Sequence, residues 1–255
     1  MKRSFIFLML LLCAPAYAMK IYNMAPGLDM GSFDVLHDST FVNQPNTLES
    51  QYIFNADHLD ETLDTIPLNA FVMFNVEEGS GVREALNYEL NPDTAVSIRK
   101  DLVEHIVSER PDLDTCLYVL PGNAVDAYKG GGSEFKAWTE REEDFRQVTV
   151  SMTSLCVGGS WAYSDYPALD WQLKDWRSKM LAQIAMTILV HGEKPKIVLS
   201  NRIKNDISEP LIPYDIADYQ LAFAQEYGLE VVYWAWTSDT DFSSSWLLYV
   251  YGSTP

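Results

Sequence analysis

The 255-residue chain carries 18 Lys and Arg against 36 Asp and Glu, a formal net charge of −18, and 47% of its residues are hydrophobic. That apolar fraction excludes a disordered chain, and the length is enough for a substantial buried core. Two acids for every cation argue against nucleic acid or an anionic membrane surface as partner, since both need clustered Lys and Arg.

The chain opens with Lys2 and Arg3, followed by an apolar run over residues 5–12 and then Ala16-Tyr17-Ala18. A basic start, a short apolar stretch and small residues at the positions read by a signal peptidase predict an export signal over residues 1–18, cleaved after Ala18. The run is far below the ~20 residues that span a bilayer. No membrane anchor is expected after cleavage, and residues 19–255 are expected to form one secreted or periplasmic domain. Cleavage would leave Cys116 and Cys156. Both lie in apolar runs, in a compartment that permits disulfides, and the sequence leaves their pairing open.

In chain order, strands are predicted over 20–24, 51–55 and 70–77, then a helix over 94–109. A strand over 115–120, a helix over 134–145 and a strand over 147–156 follow. A long helix over 168–190, a strand over 196–201, a helix over 213–227 and a strand over 230–236 complete the order. Most of the strands are continuous apolar runs, the pattern of strands buried on both faces. The helix over 94–109 spaces Val96, Ile98, Leu102, Val103 and Ile106 along one side, and Pro111 follows its end. The helix over 213–227 begins at Pro213 and stops at Gly228, the asymmetry expected of helix ends. Alternating strands and helices imply a parallel sheet with right-handed crossovers. The predicted fold is a (β/α) TIM-like barrel of seven or eight parallel strands with outer helices. An open doubly wound sheet is the alternative, but neither G-x-G-x-x-G nor G-x-x-x-x-G-K-[ST] occurs.

In such barrels the chemistry sits at the carboxyl ends of the strands. The segment from Ala70 to Gly81 ends its strand with Asn75-Val76-Glu77 and then turns at Gly79 and Gly81. Alternation puts Asn75 and Glu77 on one face with Phe71 and Met73, and Val72 and Phe74 on the other, toward the helices. A Glu in a partly apolar mouth keeps its proton and can give it to a leaving oxygen. A carboxamide two residues earlier could hold a substrate's 2-acetamido group, whose own oxygen attacks the anomeric carbon. Glu77 and Asn75 are the candidate catalytic pair. A structural alternative for Glu77 is an ion pair with Arg202.

The ending Asn75-Val76-Glu77 resembles the catalytic strand of endo-β-N-acetylglucosaminidases. The wider layout is similar to the hyaluronidase barrel, and Tyr22-Asn23-Met24-Ala25-Pro26 and Val232-Tyr233-Trp234-Ala235-Trp236 are similar to its end strands. Asn75 stands where hyaluronidases have Asp, and Glu78-Gly79 replaces their Trp-Arg continuation. The resemblance implies a glycosidase barrel in which Tyr118 hydrogen-bonds an acetamido oxygen. Further substrate contacts are expected from Asn123, Asn201, Trp234 and Trp236 at strand ends. The polar, aromatic loop after the fifth strand offers Trp161, Tyr163 and Asp165, because aromatic faces stack on sugars while polar groups take their hydroxyls.

His37, His58, His105 and His191 lack metal-ligand spacing and no G-x-S-x-G elbow occurs, so no metal, cofactor or Ser nucleophile is expected. His105 and His191 read as surface or helix-end residues. The expected partner is a carbohydrate, and the acidic chain favours a neutral or weakly charged N-acetylhexosamine glycan over a polyanion. Two other readings stay open. One is a retaining glycosidase pairing Glu77 with Asp165, Asp239 or Asp241, and the other a non-catalytic barrel that binds glycan or protein.

Overall fold

The computed structural model describes residues 21–23, 35–38, 40–43, 56–75, 92–118, 132–163, 167–200, 202–203, 208 and 210–234. In chain order its elements are β1 (Ile21–Asn23), β2 (Val35–Asp38), β3 (Thr40–Asn43), α1 (Ala56–Asp64), β4 (Phe71–Asn75), α2 (Pro92–Glu109) and β5 (Asp114–Tyr118). There follow α3 (Gly132–Thr149), β6 (Ser154–Gly158), α4 (Asp170–His191), β7 (Lys196–Ser200), α5 (Tyr214–Tyr227) and β8 (Val231–Trp234). The chain divides into two compact units, one of residues 1–38, 158–185 and 195–255, the other of residues 39–157 and 186–194.

In the second of these units β3, β4, β5 and β6 pair in sequence order, all parallel. Each new strand joins the same edge, which is single winding; a doubly wound sheet would reverse its order. Val72 of β4 packs with Leu59 and Leu63 of α1, Leu102 and Ile106 of α2, and Phe145 and Val148 of α3. The apolar stripe of α2 exists because its buried residues recur three and four apart. Phe71 and Met73, at alternate positions, are buried outside that cluster. The strand therefore has the phase read from the sequence, with Val72 toward the helices.

At the amino end of β4, Arg110 ties α1 to the strand. Its guanidinium donates to the carbonyls of Leu63, Ile66 and Pro67 at 2.6, 3.1 and 3.1 Å, and grips the Asp112 carboxylate through Nε and Nη2 at 2.8 and 2.9 Å. The Asn69 amide also donates to Asp112, at 2.8 Å. The Arg110 hydrogen bond, first among several donors, holds the Asp112 carboxyl well below its ordinary range. Arg110→Ala is expected to cost about 3 kcal/mol, because it strands a carboxylate and three carbonyls together. Arg110→Lys should recover little of this, since a point charge cannot reproduce the fork. Denaturant unfolding measures both. Because the Asp112 pKa is depressed, its share of stability is present above the ordinary value of 3.8 and is lost only as the pH falls below it.

Cys116 of β5 and Cys156 of β6 are fully buried and joined as a disulfide, with Cα atoms 5.9 Å apart. Beside the start of β6, His191, the last residue of α4, is buried rather than at the surface. Its Nε2 lies 3.3 Å from Glu142 Oε2 and its Nδ1 3.1 Å from the Thr149 hydroxyl. Burial pushes the Glu142 carboxyl up, and the neighbouring His191 opposes that shift. His105 is paired with Asp60 at 2.6 Å.

In the first unit β1 pairs in parallel with β2 and with β8, and β8 with β7. Pairing of the first strand with the last is what a singly wound barrel requires. Helices α4 and α5 pack through Trp176 against Phe223 (ring centres 5.2 Å apart) and Tyr219 (5.9 Å). Arg177 lies over Phe223 and Tyr227, 5.2 Å from each ring, and pairs with Glu226 at 2.6 Å. Helix α5 ends as expected. Gly228 adopts the left-handed conformation at φ 59°, and the caps over Ala224 and Gln225 close the last turn.

Three sequence expectations need correction or completion. The strand expected over 147–156 begins only at Ser154, because α3 runs on to Thr149. Helical spacing is what puts Phe145 and Val148, three apart, on the same buried face. Strands β2 and β3 and helix α1 were not expected. The strand expected over 51–55 lies outside the described residues.

Candidate active site

Two candidate residues far apart in sequence become neighbours in the unit built from β3 to β6. Asn75, the last residue of β4, is the Cα partner of Tyr118, the last residue of β5. Asn43 flanks Asn75 on one side, and Cys156 flanks Tyr118 on the other. Adjacent strands lie about 4.8 Å apart, so this row gathers Asn43, Asn75 and Tyr118, each the last residue of its strand, beside Cys156 in the middle of β6. One pleat deeper, Met73 is the partner of Cys116, and both are buried. Buried Met73 and Cys116 thus lie one pleat below Asn75 and Tyr118, and Cys116 is bridged to Cys156 of the row itself. Such a floor raises the pKa of a carboxyl placed above it and strengthens hydrogen bonds there. Glu77, two residues beyond Asn75, and Asn123 lie outside the described residues.

In the unit built from β7, β8, β1 and β2, Trp234 ends β8 as the Cα partner of Ser200, the last residue of β7. The Ser200 hydroxyl donates to the Arg202 carbonyl at 2.7 Å, fixing the turn after β7. Asn201, Asp165 and Trp236 lie outside the described residues, as do Asp239 and Asp241.

The loop after β6 is pinned at Gly159. Its amide donates to the Val198 carbonyl at 2.8 Å, and its carbonyl accepts from Trp176 Nε1 and Gln220 Nε2, each at 3.0 Å. A Cβ at this position would lie 2.5 Å from Ile197 Cγ2 and 2.9 Å from Leu199 Cδ2. Gly159→Ala is therefore expected to destabilise by about 2 kcal/mol, read as a lower midpoint in denaturant, through overpacking rather than backbone strain.

Trp161 follows at 0% exposure, its ring 5.2 Å from Tyr163 and 6.4 Å from Trp176. The structure gives this residue a packing position in place of the open sugar-stacking face expected from the sequence. Tyr163 is half-buried, and its hydroxyl donates to the Asp175 carboxylate, which also pairs with Lys179 at 2.6 Å. Burial and that hydrogen bond push the Tyr163 pKa up. Sequence reading missed Asp175 and Lys179, although their spacing of four on a predicted helix is the signal that could have found them. As half of a disulfide, Cys156 carries no thiolate. The Glu142–His191–Thr149 chain has the order of a nucleophile triad, but it is sealed, with Glu142 at 0% and Thr149 at 8% exposure. It lies where helices end and strands begin, opposite the carboxyl ends that carry chemistry in this fold.

No family model and no curated protein matches the chain. Among solved structures, bee venom hyaluronidase matches with a TM-score of 0.62 at 8% identity, covering 91% of this chain and 96% of that one. The same enzyme in complex with a hyaluronic acid tetramer matches with a TM-score of 0.59 at 9% identity, covering 91% and 95%. Endo-glycoceramidase II from Rhodococcus sp. matches with a TM-score of 0.48 at 13% identity, covering 87% and 73%. The fold is the (β/α) TIM-like barrel, as expected from the alternating strands and helices.

Proposed function

We propose that the chain is an exported glycosidase that cleaves a neutral or weakly charged N-acetylhexosamine-containing glycan with help from the substrate's own acetamido group. The observation that carries this reading is the register Asn75↔Tyr118. The two residues assigned to one acetamido group on separate grounds are Cα partners on adjacent strand ends. Support comes also from a barrel neighbour that is a hyaluronidase and binds a hyaluronic acid tetramer. The buried disulfide fits an oxidising compartment and so supports export.

Glu77 protonates the glycosidic oxygen as the C–O bond breaks. Asn75 holds the acetamido group so that its carbonyl oxygen bonds to the anomeric carbon from the opposite face, giving a cyclic oxazolinium. Tyr118 steadies that oxygen. Glu77, now a carboxylate, takes a proton from water as the water attacks the anomeric carbon and reopens the ring. The product regains its acetamido group, and the configuration is retained. Asn123 contributes a further sugar contact in this reading.

The charge of −18 opposes approach of a polyanion. Incubation with chitohexaose and with hyaluronan, followed by mass spectrometry of the products, tests substrate choice. Shorter acetamido oligosaccharides from chitohexaose are expected. Tight, salt-sensitive hyaluronan binding with no attack on the neutral oligomer would overturn that choice.

A further inference from the structure

We propose that Tyr163, Trp171, Asp175 and Lys179 form a second carbohydrate-binding subsite on the first turns of α4. It takes an uncharged hexopyranose unit of a glycan chain and rests on the glycosidase reading. Trp171, Asp175 and Lys179 follow one another at intervals of four, which makes them a single stripe along the helix. The stripe grips Tyr163 from the loop after β6. The indole and phenol rings meet edge to face, with centroids 5.4 Å apart at 82°. The phenol hydroxyl donates to Asp175, and Lys179 Nζ lies 3.4 Å from the phenol oxygen and 5.6 Å from the ring centre. Buried Trp161 closes the far side of Tyr163, edge-on at 5.2 Å and 69°.

Tyr163 is thus held by four side chains and in turn steadies Trp171. Yet Trp171 is 56% exposed, and Leu169 beside it is exposed as well. A large aromatic kept in water with its plane already steadied has lost part of the ordering cost that a ligand would otherwise have to overcome. Its immediate surroundings are polar rather than greasy: a carboxylate and an ammonium flank the rings, partly exposed and paired with each other. A pyranose matches this mixture. Its C–H face covers an indole, its hydroxyls donate to a carboxylate, and its oxygens accept from an ammonium. The paired charges cancel, which favours a neutral sugar over an anion or cation. Asp175 accepts from Tyr163 and pairs with Lys179 and so offers no acid to a leaving oxygen; the subsite holds a chain without cutting it.

The test uses the full chain as wild type, Trp171→Ala, Trp171→Phe and Glu77→Gln. Each is titrated with chitohexaose and cellohexaose by calorimetry, and cleavage of chitohexaose and chitotriose is followed in parallel. Trp171→Ala should bind the hexamers about tenfold more weakly, and Trp171→Phe should keep most of the affinity. The kcat of Trp171→Ala on both oligomers should stay as in wild type. Glu77→Gln should bind like wild type without cutting, so the subsite and the catalytic reading fail separately. Equal hexamer affinity in wild type and Trp171→Ala overturns the subsite. So does absence of hexamer binding to both wild type and Glu77→Gln.

Discussion

Glu77→Gln is expected to lower kcat on chitohexaose about a thousandfold while leaving the thermal unfolding midpoint within a degree or so of wild type. The size follows from the role. A neutral amide cannot donate a proton to the leaving oxygen or accept one from water, and general acid–base catalysis of this kind is worth about 10²–10⁴. KM should change little, because the glutamate acts on the bond that breaks and not on the remote sugars. Asn75→Ala should cost about a hundredfold, since an acetamido oxygen no longer aimed at the anomeric carbon loses its effective concentration. Asn75→Asp places the residue that hyaluronidases carry and should retain activity. Kinetics on a single glycan with all three variants check this. A fully active Glu77→Gln removes the mechanism.

The second large effect concerns the floor of the site. Cys116→Ser with Cys156→Ser is expected to destabilise the protein by about 4 kcal/mol, from the entropy returned to an unfolded chain freed of its cross-link. The two cysteines are 40 residues apart, so the cross-linked loop is long. For a chain of this size the melting midpoint should fall by about 10 °C. Calorimetry of the oxidised protein beside the double variant measures it. Cys156 is the Cα partner of Tyr118, so the loosened strand pair should also raise KM for the acetamido substrate. An unchanged midpoint would mean that the bridge adds nothing to stability.

Strands β4, β5, β7 and β8 were legible because they read as apolar runs bounded by turn residues, and α2 and α5 because their spacing and end residues agree. The alternation of Phe71 and Met73 against Val72 located the row of Asn75 before any register was known. Other features were hidden by local chemistry. Helix α1 shows only Leu59 and Leu63 among many acids, too little periodicity to separate it from a loop. The start of β6 was misplaced because Val148 and Val150 continue an apolar alternation that tertiary packing overrides in favour of helix. Trp161 read as a loop aromatic, but it packs inward against Tyr163 and Trp176 just after the Gly159 anchor. His191 looked like a helix end, but its Glu142 partner lies 49 residues away in sequence, and no local pattern announces such a pair.

The central claim is that the substrate's acetamido oxygen is the nucleophile. Proton NMR of the first minutes of reaction with chitohexaose, beside its fully de-N-acetylated counterpart, tests it most directly. The account predicts that the acetamido oligomer is cut with the β-anomer of the new reducing end appearing first, while the amine counterpart stays intact. Cleavage of the two at equal rates, or first appearance of the α-anomer, would contradict it.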